Sequence, residues 1–493
     1  MSVLAELRHP VAEAQDRARS FSPFVVAVVV CSALAALSAA LLPTVPSYDP
    51  WAWILWGREL FDPHLSFSVS GGPSWKPLPV IFTAVFGLFG AAAPTLWVIA
   101  ARAGGLLGLA AAYRLATLLV EGRASRAAAG TIAAAGVILT RDWAYYMFRG
   151  TSEPILIGTA LWAVERHLAG RRTTAFVLGV LTALMRPEAW PFVGLYAIWL
   201  WLREPSFREP LRRALIVAGL LAIPFFWFVP PWIGSGQPFL AAIHAKEYNG
   251  HLGASPFFTV LRRGVDLQVL PALIMAAVAV FLAARNRPAF IERDRLTLAL
   301  AVLTLAWWVI VVGMTLDGYP GLERFYLPPA AMTCVLAGVG IVRLAELIPM
   351  ERLRPAVPLA LVAVSIPFAS TRVSTARAQE PIASRAVTRL DQLSAAVAAV
   401  GGHRGVYPCH SSFAAVNHSV QTALAWKLHV TLGRVGTSMR HQGLMFLGPH
   451  DSIDGGPPRI DPRLTQRQLI ARAGRWRVYR MISPGSSTRC VGS

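Results

Sequence analysis

Long apolar runs, separated by short polar loops rich in arginine, occupy most of the chain. Runs of about 14 to 28 residues recur from Phe24 to about residue 369, and about 20 apolar residues cross the hydrocarbon of a bilayer as a helix. The first run, 23–43, is longer than the apolar core of a signal peptide, so we interpret it as a retained span. The pattern predicts an all-α polytopic membrane protein with about eleven transmembrane helices.

Two of the apolar stretches are interrupted. Pro187, in the sequence LMRPEAWP, falls in the middle of a stretch of about 28 residues and predicts two short spans joined by a turn. Residues 78–120 must make one net crossing but contain two apolar pieces. The piece 78–90 is therefore predicted to re-enter the membrane or to lie beside the bundle.

Basic loops alternate along the chain with less basic ones. Short loops rich in arginine and lysine stay in the cytoplasm, which places inside the loops near Arg123, Arg171, Arg212, Arg293 and Arg352. The opposite, outer face then receives the segments 43–77, 142–153, 186–191, 230–256 and 317–328. Most of the polar residues that interrupt the apolar pattern fall in these outer segments.

Polar residues, glycine clusters and short alternating stretches replace the apolar runs after about Thr371. We therefore divide the chain into a cytoplasmic N-terminus (1–22), a transmembrane domain (23–370) and a small C-terminal α/β domain (371–493). An odd number of crossings places this last domain outside the plasma membrane. Such a compartment allows a disulfide bond between Cys409 and Cys490.

Composition agrees with a membrane protein and limits its partners. The 493 residues are 55% hydrophobic and 15% charged, with a mean hydropathy of +0.50, which excludes an ordinary soluble domain. The net charge of +20 comes almost entirely from arginine, much of it in the C-terminal domain. A solvated basic face and contact with anionic lipid headgroups or an anionic wall polymer are both open. Nucleic acid is not an expected partner outside the cell.

The first outer segment carries the most informative polar residues. Asp49 is placed to act as a general base on an acceptor hydroxyl, or is an ordinary carboxylate at a helix end. Lys76, directly after Trp75, either holds a phosphate or snorkels to the interface. Trp51 and the nearby tryptophans either stack on a sugar or isoprenoid or belong to the aromatic belt at the interface. Trp75 is a further candidate sugar contact.

The next two outer segments add charges at membrane depth. In TRDWAYYMFRGTSEP, Arg149 and Glu153 are four residues apart and can pair on one helical face. Glu153 nevertheless leads directly into an apolar run, where a carboxylate needs a partner or a function. Asp142 opens this segment. Arg186 and Glu188 flank Pro187 and either face an interior cavity or form a structural salt bridge.

The last two outer segments contribute one candidate each. His244 lies in GSGQPFLAAIHAKEYNGHLG, which we interpret as a lid or acceptor-contacting segment, or as an ordinary hydrophilic loop. Arg324, in DGYPGLERFYLPP, is placed to bind a phosphate bidentately through its guanidinium, or pairs with its neighbour Glu323.

Six motifs follow one another in a recognisable order: DPWAWILWGREL, SWKPLPVIFTAVFGLFG, AARAGGLLGLAAAYRLA, RGTSEP, LMRPE and ERFYLPP. This order resembles the GT-C superfamily of integral-membrane glycosyltransferases, which use polyprenyl-phosphate sugars, and particularly the branch of protein mannosyltransferases and aminoarabinose transferases. The resemblance covers about residues 20–345. Pro50 replaces the second acidic residue of the family pattern, and Leu78 interrupts its double proline. Short elements of the tail resemble actinobacterial cell-envelope proteins only loosely.

The resemblance implies a donor sugar, mannose or arabinose, carried on a polyprenyl phosphate that enters from the outer leaflet. Lys76 and Arg324 would hold its phosphate, with Arg149 and Arg186 as helpers. A phosphate leaving group with an apolar tail explains a site at the membrane boundary.

The resemblance also implies roles for the carboxylates. Asp49 would deprotonate the hydroxyl of a cell-envelope glycan, lipid or protein acceptor, and Glu153 would orient the acceptor or share the base role. Asp142, Glu188 and His244 are candidate contacts to the sugar or the acceptor. No cluster of histidine and cysteine and no clear acidic pair supports a divalent ion, so no cofactor is predicted.

Two other classes of protein use the same charges differently. A transporter or flippase for a lipid-linked saccharide would line a pathway with them and would show paired broken helices in its two halves. A structural envelope protein would work through its C-terminal domain and would not need Asp49.

Overall fold

The structure is a computed structural model that describes residues 22–247, 252–253, 255–285, 292–409, 411–451, 453, 455–464 and 466–482. Almost all of the predicted cytoplasmic N-terminus and the predicted disulfide partner Cys490 lie outside the described residues. Cys409 takes part in a disulfide bond.

Helices form the first three quarters of the chain. Their bounds are α1 Pro23–Leu41, α2 Tyr48–Glu59, α3 Pro77–Gly87, α4 Ala93–Leu118, α5 Arg123–Ile138, α6 Trp143–Arg149, α7 Glu153–Leu168, α8 Arg172–Ala183, α9 Trp190–Arg203, α10 Pro210–Ser235, α11 Leu240–Glu247, α12 Pro256–Asp266, α13 Leu270–Arg285, α14 Glu292–Leu316, α15 Leu327–Glu346 and α16 Ala356–Ala399. Short 3-10 helices lie between them at Gly90–Ala92, Pro187–Ala189, Pro205–Arg208, Glu323–Tyr326 and Glu351–Leu353.

Many of these helices are suited to a bilayer, and the fold is that of a polytopic membrane protein. Within the described ranges, six helices are long and apolar enough to cross a membrane, or seven if α12 and α13, which meet at 94°, form one broken span. Shorter apolar helices, such as α3 and α8, fall below that length. The predicted count of about eleven therefore requires the shorter helices to cross as well.

The two interrupted stretches have different structures. The stretch around Pro187 is two helices, α8 and α9, joined by the 3-10 turn Pro187–Ala189, which confirms the predicted break. The piece 78–90 contains the short helix α3, which packs along α2. Gly57 of α2 lies so close to α3 that a Cβ there would come within 2.4 Å of the backbone of Thr83.

The C-terminal domain is a small α/β unit attached through α16. This helix runs unbroken for 44 residues through Thr371, so the change in composition falls within a helix and not at a loop. The remaining elements are α17 Gly402–Val406, α18 Gln421–Leu428, the 3-10 helices His418–Val420 and Leu432–Arg434, β1 Phe413–Val416, β2 Val435–Gly436, β3 Ser438–Met439, β4 Gly443–Leu447, β5 Arg459–Ile460, β6 Gln466–Ala473 and β7 Trp476–Ile482.

The main sheet of this domain is mixed, with strand order β2-β1-β4-β7-β6. The pairs β1/β2 and β1/β4 are parallel, whereas β7 runs antiparallel to both of its neighbours. Strands β3 and β5 form a separate parallel pair. Trp476, Phe446 and Leu424 are fully buried between this sheet and the helices α16 and α18. The predicted α/β domain is confirmed.

Candidate active site

A buried arginine of α4 donates hydrogen bonds around the segment that joins α1 to α2. Arg102 of α4 is 3% exposed and donates hydrogen bonds to the carbonyl oxygens of Ser38 at 3.0 Å, Pro43 at 2.6 Å and Met147 at 3.3 Å. Arg102 is a charge inside a long apolar helix, which was the sequence signal for such a role. Our sequence analysis assigned it none.

Asp49 lies in the first turn of α2, where the helix dipole favours a negative charge. The start of the helix is fixed by the Ser47 amide, which donates to the Arg149 carbonyl at 3.0 Å. The Asp49 side chain is 27% exposed and therefore accessible. Its oxygen Oδ2 accepts a hydrogen bond from Nη1 of Arg324 at 3.4 Å.

The tryptophans of α2 lie inside the protein. Trp51, Trp53 and Trp56 are 6%, 1% and 0% exposed. The alternative that they form an aromatic belt at the membrane interface is therefore wrong. Trp75 is also buried; its Nε1 donates to the Phe226 carbonyl at 2.9 Å, and its ring packs against Trp56. A sugar does not reach this ring in the described arrangement.

Lys76 is buried in a polar pocket. Its Nζ donates to Ser152 Oγ at 2.6 Å and lies 3.7 Å from Glu153 Oε1 and 5.1 Å from the ring centre of Trp53. Because the residue is only 6% exposed, the alternative of a snorkelling lysine is wrong. Ser152 was not singled out in the sequence, although it stands beside Glu153 in RGTSEP.

Glu153 begins α7 and is the shared partner of two cations. Its Oε1 accepts a hydrogen bond from Nη2 of Arg186 at 2.8 Å, in addition to the contact with Lys76. The left-handed residue Gly150 ends α6 directly after Arg149. Arg149 and Glu153 therefore belong to different helices, and the alternative of a pair on one helical face is wrong.

Arg186 and Glu188 come from the turn between α8 and α9. Nη1 of Arg186 lies 3.9 Å from Oε1 of Glu188, which is a weak contact. Arg186 is 6% exposed and Glu188 is 2% exposed. The Arg186 guanidinium also stacks 4.6 Å from the ring centre of Phe325. This contact brings the turn against the 3-10 helix Glu323–Tyr326, which carries Arg324.

Arg324 lies between Asp49 and the group formed by Glu153, Lys76 and Arg186. Besides its hydrogen bond to Asp49, its positive charge is attracted by Glu153 and repelled by Lys76, whose own charge is compensated by Glu153. Glu323 instead lies 3.6 Å from Arg141, so the alternative of a Glu323–Arg324 pair is wrong. Four of the predicted outer segments thus contribute to one network of charged side chains. Its members are Asp49, Lys76, Glu153, Arg186 and Arg324.

Asp142 and His244 belong to segments that adjoin the network. Asp142 has φ 61° and lies 3.8 Å from Arg141, which also contacts Glu323. His244 is on α11, whose Ala241 carbonyl accepts a hydrogen bond from Ser74 at 2.7 Å, two residues before Lys76. Both segments adjoin the network, but neither side chain has a described contact with its members.

Several buried polar atoms around the network have no hydrogen-bond partner among the described residues. They are Nε of Arg186, Nε of Arg324, Nε1 of Trp51, Nε1 of Trp53 and Oε2 of Glu188. All but the last are donors. Buried donors normally have acceptors, so this excess of donors fits an anionic ligand.

An apolar cavity of about 490 Å³ borders the turn Pro187–Ala189, which follows Arg186. It extends from Ala189 and Phe192, past Trp307, to Leu115 and His167. None of the five residues of the network lines it; Ala189, three residues after Arg186, is the lining residue of the turn.

Two carboxylates at the C-terminal end of α2 and just after it, Glu59 and Asp62, have shifted pKa values. Burial raises the pKa of Glu59 to about 8, although the Ser68 amide and Arg58 both favour its charged form. The pKa of Asp62 is lowered, chiefly by a hydrogen bond from the His64 amide and also by His429 of the C-terminal domain. His429 Nε2 lies 2.7 Å from Asp62 Oδ2.

No group of three or more histidine, cysteine, aspartate or glutamate side chains able to hold a metal ion occurs in the part of the chain that the structure describes. The charged groups of the network are paired with each other.

The helix bundle, the short helices that carry the network and the C-terminal α/β domain together define a polytopic membrane protein with a GT-C-like fold. Among solved structures, the chain is similar to the apo structure of ArnT from Cupriavidus metallidurans, an aminoarabinose transferase. The TM-score is 0.54 at 16% identity, and the match covers 92% of this chain and 97% of ArnT. No protein-family model and no curated protein sequence matches the chain.

Proposed function

We propose that the protein is a membrane glycosyltransferase that moves a sugar from a polyprenyl-phosphate donor to an acceptor on the outer face of the plasma membrane. One observation carries the proposal. A solvent-accessible carboxylate, a partly exposed arginine and two buried cations, far apart in sequence, meet in one network within a chain that has the ArnT-like fold.

Asp49 is the general base in this reaction. It accepts the proton of the acceptor hydroxyl, whose oxygen forms a bond to the anomeric carbon of the donor sugar. The bond between that carbon and the phosphate oxygen breaks, and its electron pair leaves with the polyprenyl phosphate. A single displacement of this kind inverts the anomeric centre. Glu153 is too enclosed by Lys76 and Arg186 to share the base role, and we assign it to holding those cations in place.

The leaving phosphate is held by Lys76, Arg324 and Arg186, with Arg149 at the adjoining end of α6. Stabilising the charge that develops on the leaving group is usually the largest catalytic contribution in such sites. The unpaired donors Arg186 Nε and Arg324 Nε, with Trp53 Nε1, fit this task. The network already contains two carboxylates, Asp49 and Glu153, so the phosphate competes with them for the same cations.

The apolar cavity supports a lipid-linked donor. It is lined by Ala189, which follows Arg186 by three residues, and almost entirely by apolar side chains, as an isoprenoid tail requires. Mannose or arabinose suits the proposed donor, and an envelope glycan, lipid or protein suits the proposed acceptor; Glu188, Asp142 and His244 are their proposed contacts.

The test is transfer from a labelled polyprenyl-phosphate sugar by the full chain in liposomes. Asp49→Asn keeps the size of the side chain and its acceptor oxygen toward Arg324 but removes the base. We expect kcat to fall by about 100-fold or more with little change in the KM of the donor, because proton transfer in the transition state is lost.

Asp461→Asn is the matched control, since it removes a carboxylate of the C-terminal domain that pairs only with Arg463 among the described residues. It should transfer at the wild-type rate. Full activity of Asp49→Asn would refute the assignment of the base. Translocation of the lipid-linked sugar across the liposome membrane without transfer by the wild type would instead favour a flippase.

A further inference from the structure

The C-terminal domain packs directly on the helix that carries Asp49. Thr422, fully buried in the first turn of α18, donates a hydrogen bond from Oγ1 to the carbonyl oxygen of Tyr48 at 3.1 Å. The Tyr48 hydroxyl donates to Oε1 of Gln421 at 3.1 Å. The Tyr48 ring also stacks on His418, with 4.9 Å between the ring centres. The residue before Asp49 is thus held through its backbone, its hydroxyl and its ring.

The same domain also holds the last turn of α2. Arg58 donates from Nη1 to the Trp426 carbonyl at 3.1 Å and from Nη2 to the Val430 carbonyl at 3.2 Å. Its guanidinium lies 4.5 Å from the ring centre of Trp426, and Trp51 packs against the same ring. Because both ends of α2 are bound, the helix has little freedom to rotate or slide relative to α18.

We propose that α18 is a positioning element of the catalytic centre, and that Thr422 and Gln421 are positioning residues that set the direction of the Asp49 carboxylate. This inference rests on the proposed function. It gives the C-terminal domain a part in the chemical step, beyond any part in binding an acceptor.

The reason is geometric. Asp49 is fixed from one side by Arg324, at 3.4 Å, and its backbone is fixed from the other side by Thr422 through the adjacent peptide group. A misplacement of about 1 Å in a reacting group can cost as much as 100-fold in rate. The Thr422 side chain is fully buried, so removing its hydroxyl deprives the Tyr48 carbonyl of this donor without making room for a water molecule.

Thr422→Val removes the hydroxyl and nearly conserves the shape of the side chain. In the liposome assay with full-length protein we expect kcat to fall by roughly three- to tenfold, with the KM of the donor changed less than about twofold, since the donor phosphate site is untouched. Thr422→Ser, which retains the hydroxyl, should restore most of kcat. Tyr48→Phe should lower kcat in the same direction through the lost bond to Gln421.

Thr388→Val is the matched control. Thr388 is an exposed residue of α16 whose hydroxyl bonds only within its own helix, to the Ser384 carbonyl. This variant should keep both kcat and KM. Rates are taken per amount of folded protein, so that a loss of folded enzyme is not counted as a loss of kcat, and rescue by serine shows that the hydroxyl carries the effect.

Hydrogen exchange of the peptides that cover residues 44–60 gives a readout independent of turnover. Thr422→Val should speed exchange there while Thr388→Val does not. Unchanged exchange, or unchanged kcat in Thr422→Val when Asp49→Asn is inactive, overturns the positioning role and leaves the proposed function standing. Absence of transfer by the wild type overturns the proposed function itself and, with it, the positioning of a base.

Discussion

Charged residues at membrane depth form partnered sets in the part of the chain that the structure describes, and the set around Glu153 connects to an accessible carboxylate. Glu165 is fully buried and bonded to Arg114 and Arg166, and Asp294 is bonded to Arg343. These sets satisfy themselves, as buried charges must. The set around Glu153 differs because it connects through Arg324 to Asp49, a carboxylate that is 27% exposed, whereas Glu165 and Asp294 are buried. Accessibility, and not charge alone, marks the candidate site.

Glu59 allows a prediction on pH. The folded state raises its pKa from an ordinary value of 4.5 to about 8, so the folded chain keeps a proton that the unfolded chain releases. Its contribution to the free energy of unfolding is therefore fully present below about pH 4.5 and is lost as the pH rises through about 8. Glu59→Gln is neutral at every pH and should not show this loss.

We expect the melting temperature of the wild type, compared with Glu59→Gln, to fall by roughly 2 °C or more between about pH 5 and pH 9. Glu380→Gln, which changes an exposed carboxylate of α16, should follow the wild type. Parallel pH profiles of the wild type and Glu59→Gln would mean that Glu59 is ionised in the folded protein.

At the scale of elements, the contact between α2 and α3 links the two sides of the site. Helix α2 carries Asp49, and α3 begins directly after Lys76. The helices touch at Gly57, and the Thr83 hydroxyl donates to the Trp53 carbonyl at 2.6 Å in the same contact. A glycine at this crossing lets the backbones approach closely, so that Asp49 and Lys76 reach one network.

Gly57→Ala should separate these helices, because its Cβ would lie 2.4 Å from a backbone atom of Thr83, which cannot move aside alone. We expect a loss of about 1–3 kcal/mol in stability, typical of overpacking, together with reduced transfer. Gly194→Ala in α9 is the control, since its Cβ would meet no atom within 4 Å. It should be neutral or slightly stabilising. Equal melting temperatures of the two variants would show that the α2/α3 contact adapts freely.

At the scale of the molecule, the C-terminal domain and the network lie together, since α18 packs on α2. Both must then be on the same face of the membrane, and the loop charges predict the outer face. The long helix α16 provides the connection: its first half is apolar with exposed side chains, and its second half buries Ala383 and Ala386 in a cluster with Val45, and Leu393 in the core of the domain.

Cysteine labelling tests this orientation. Thr388→Cys should react with a membrane-impermeant maleimide in intact cells, and Ala124→Cys, in a loop predicted to be cytoplasmic, only after permeabilisation. Both positions are exposed. Cys31 and Cys334 are buried and should contribute little background. The opposite labelling pattern would invert the topology and remove the network from the outer face.

The sequence by itself determined the class of fold, the break at Pro187 and the polar residues worth testing. Runs of apolar residues and the charge of short loops act locally, so they can be read along the chain. It did not determine which charges pair: Arg149 with Glu153 and Glu323 with Arg324 were plausible neighbours, yet Glu153 bonds Arg186 and Arg324 bonds Asp49.

Only the tertiary structure decided those pairs, the burial of Lys76 and the docking of α18 on α2, because each depends on residues more than 30 positions apart. Coulomb and hydrogen-bond energies fall with distance in space, and chain separation does not fix that distance until the helices are packed.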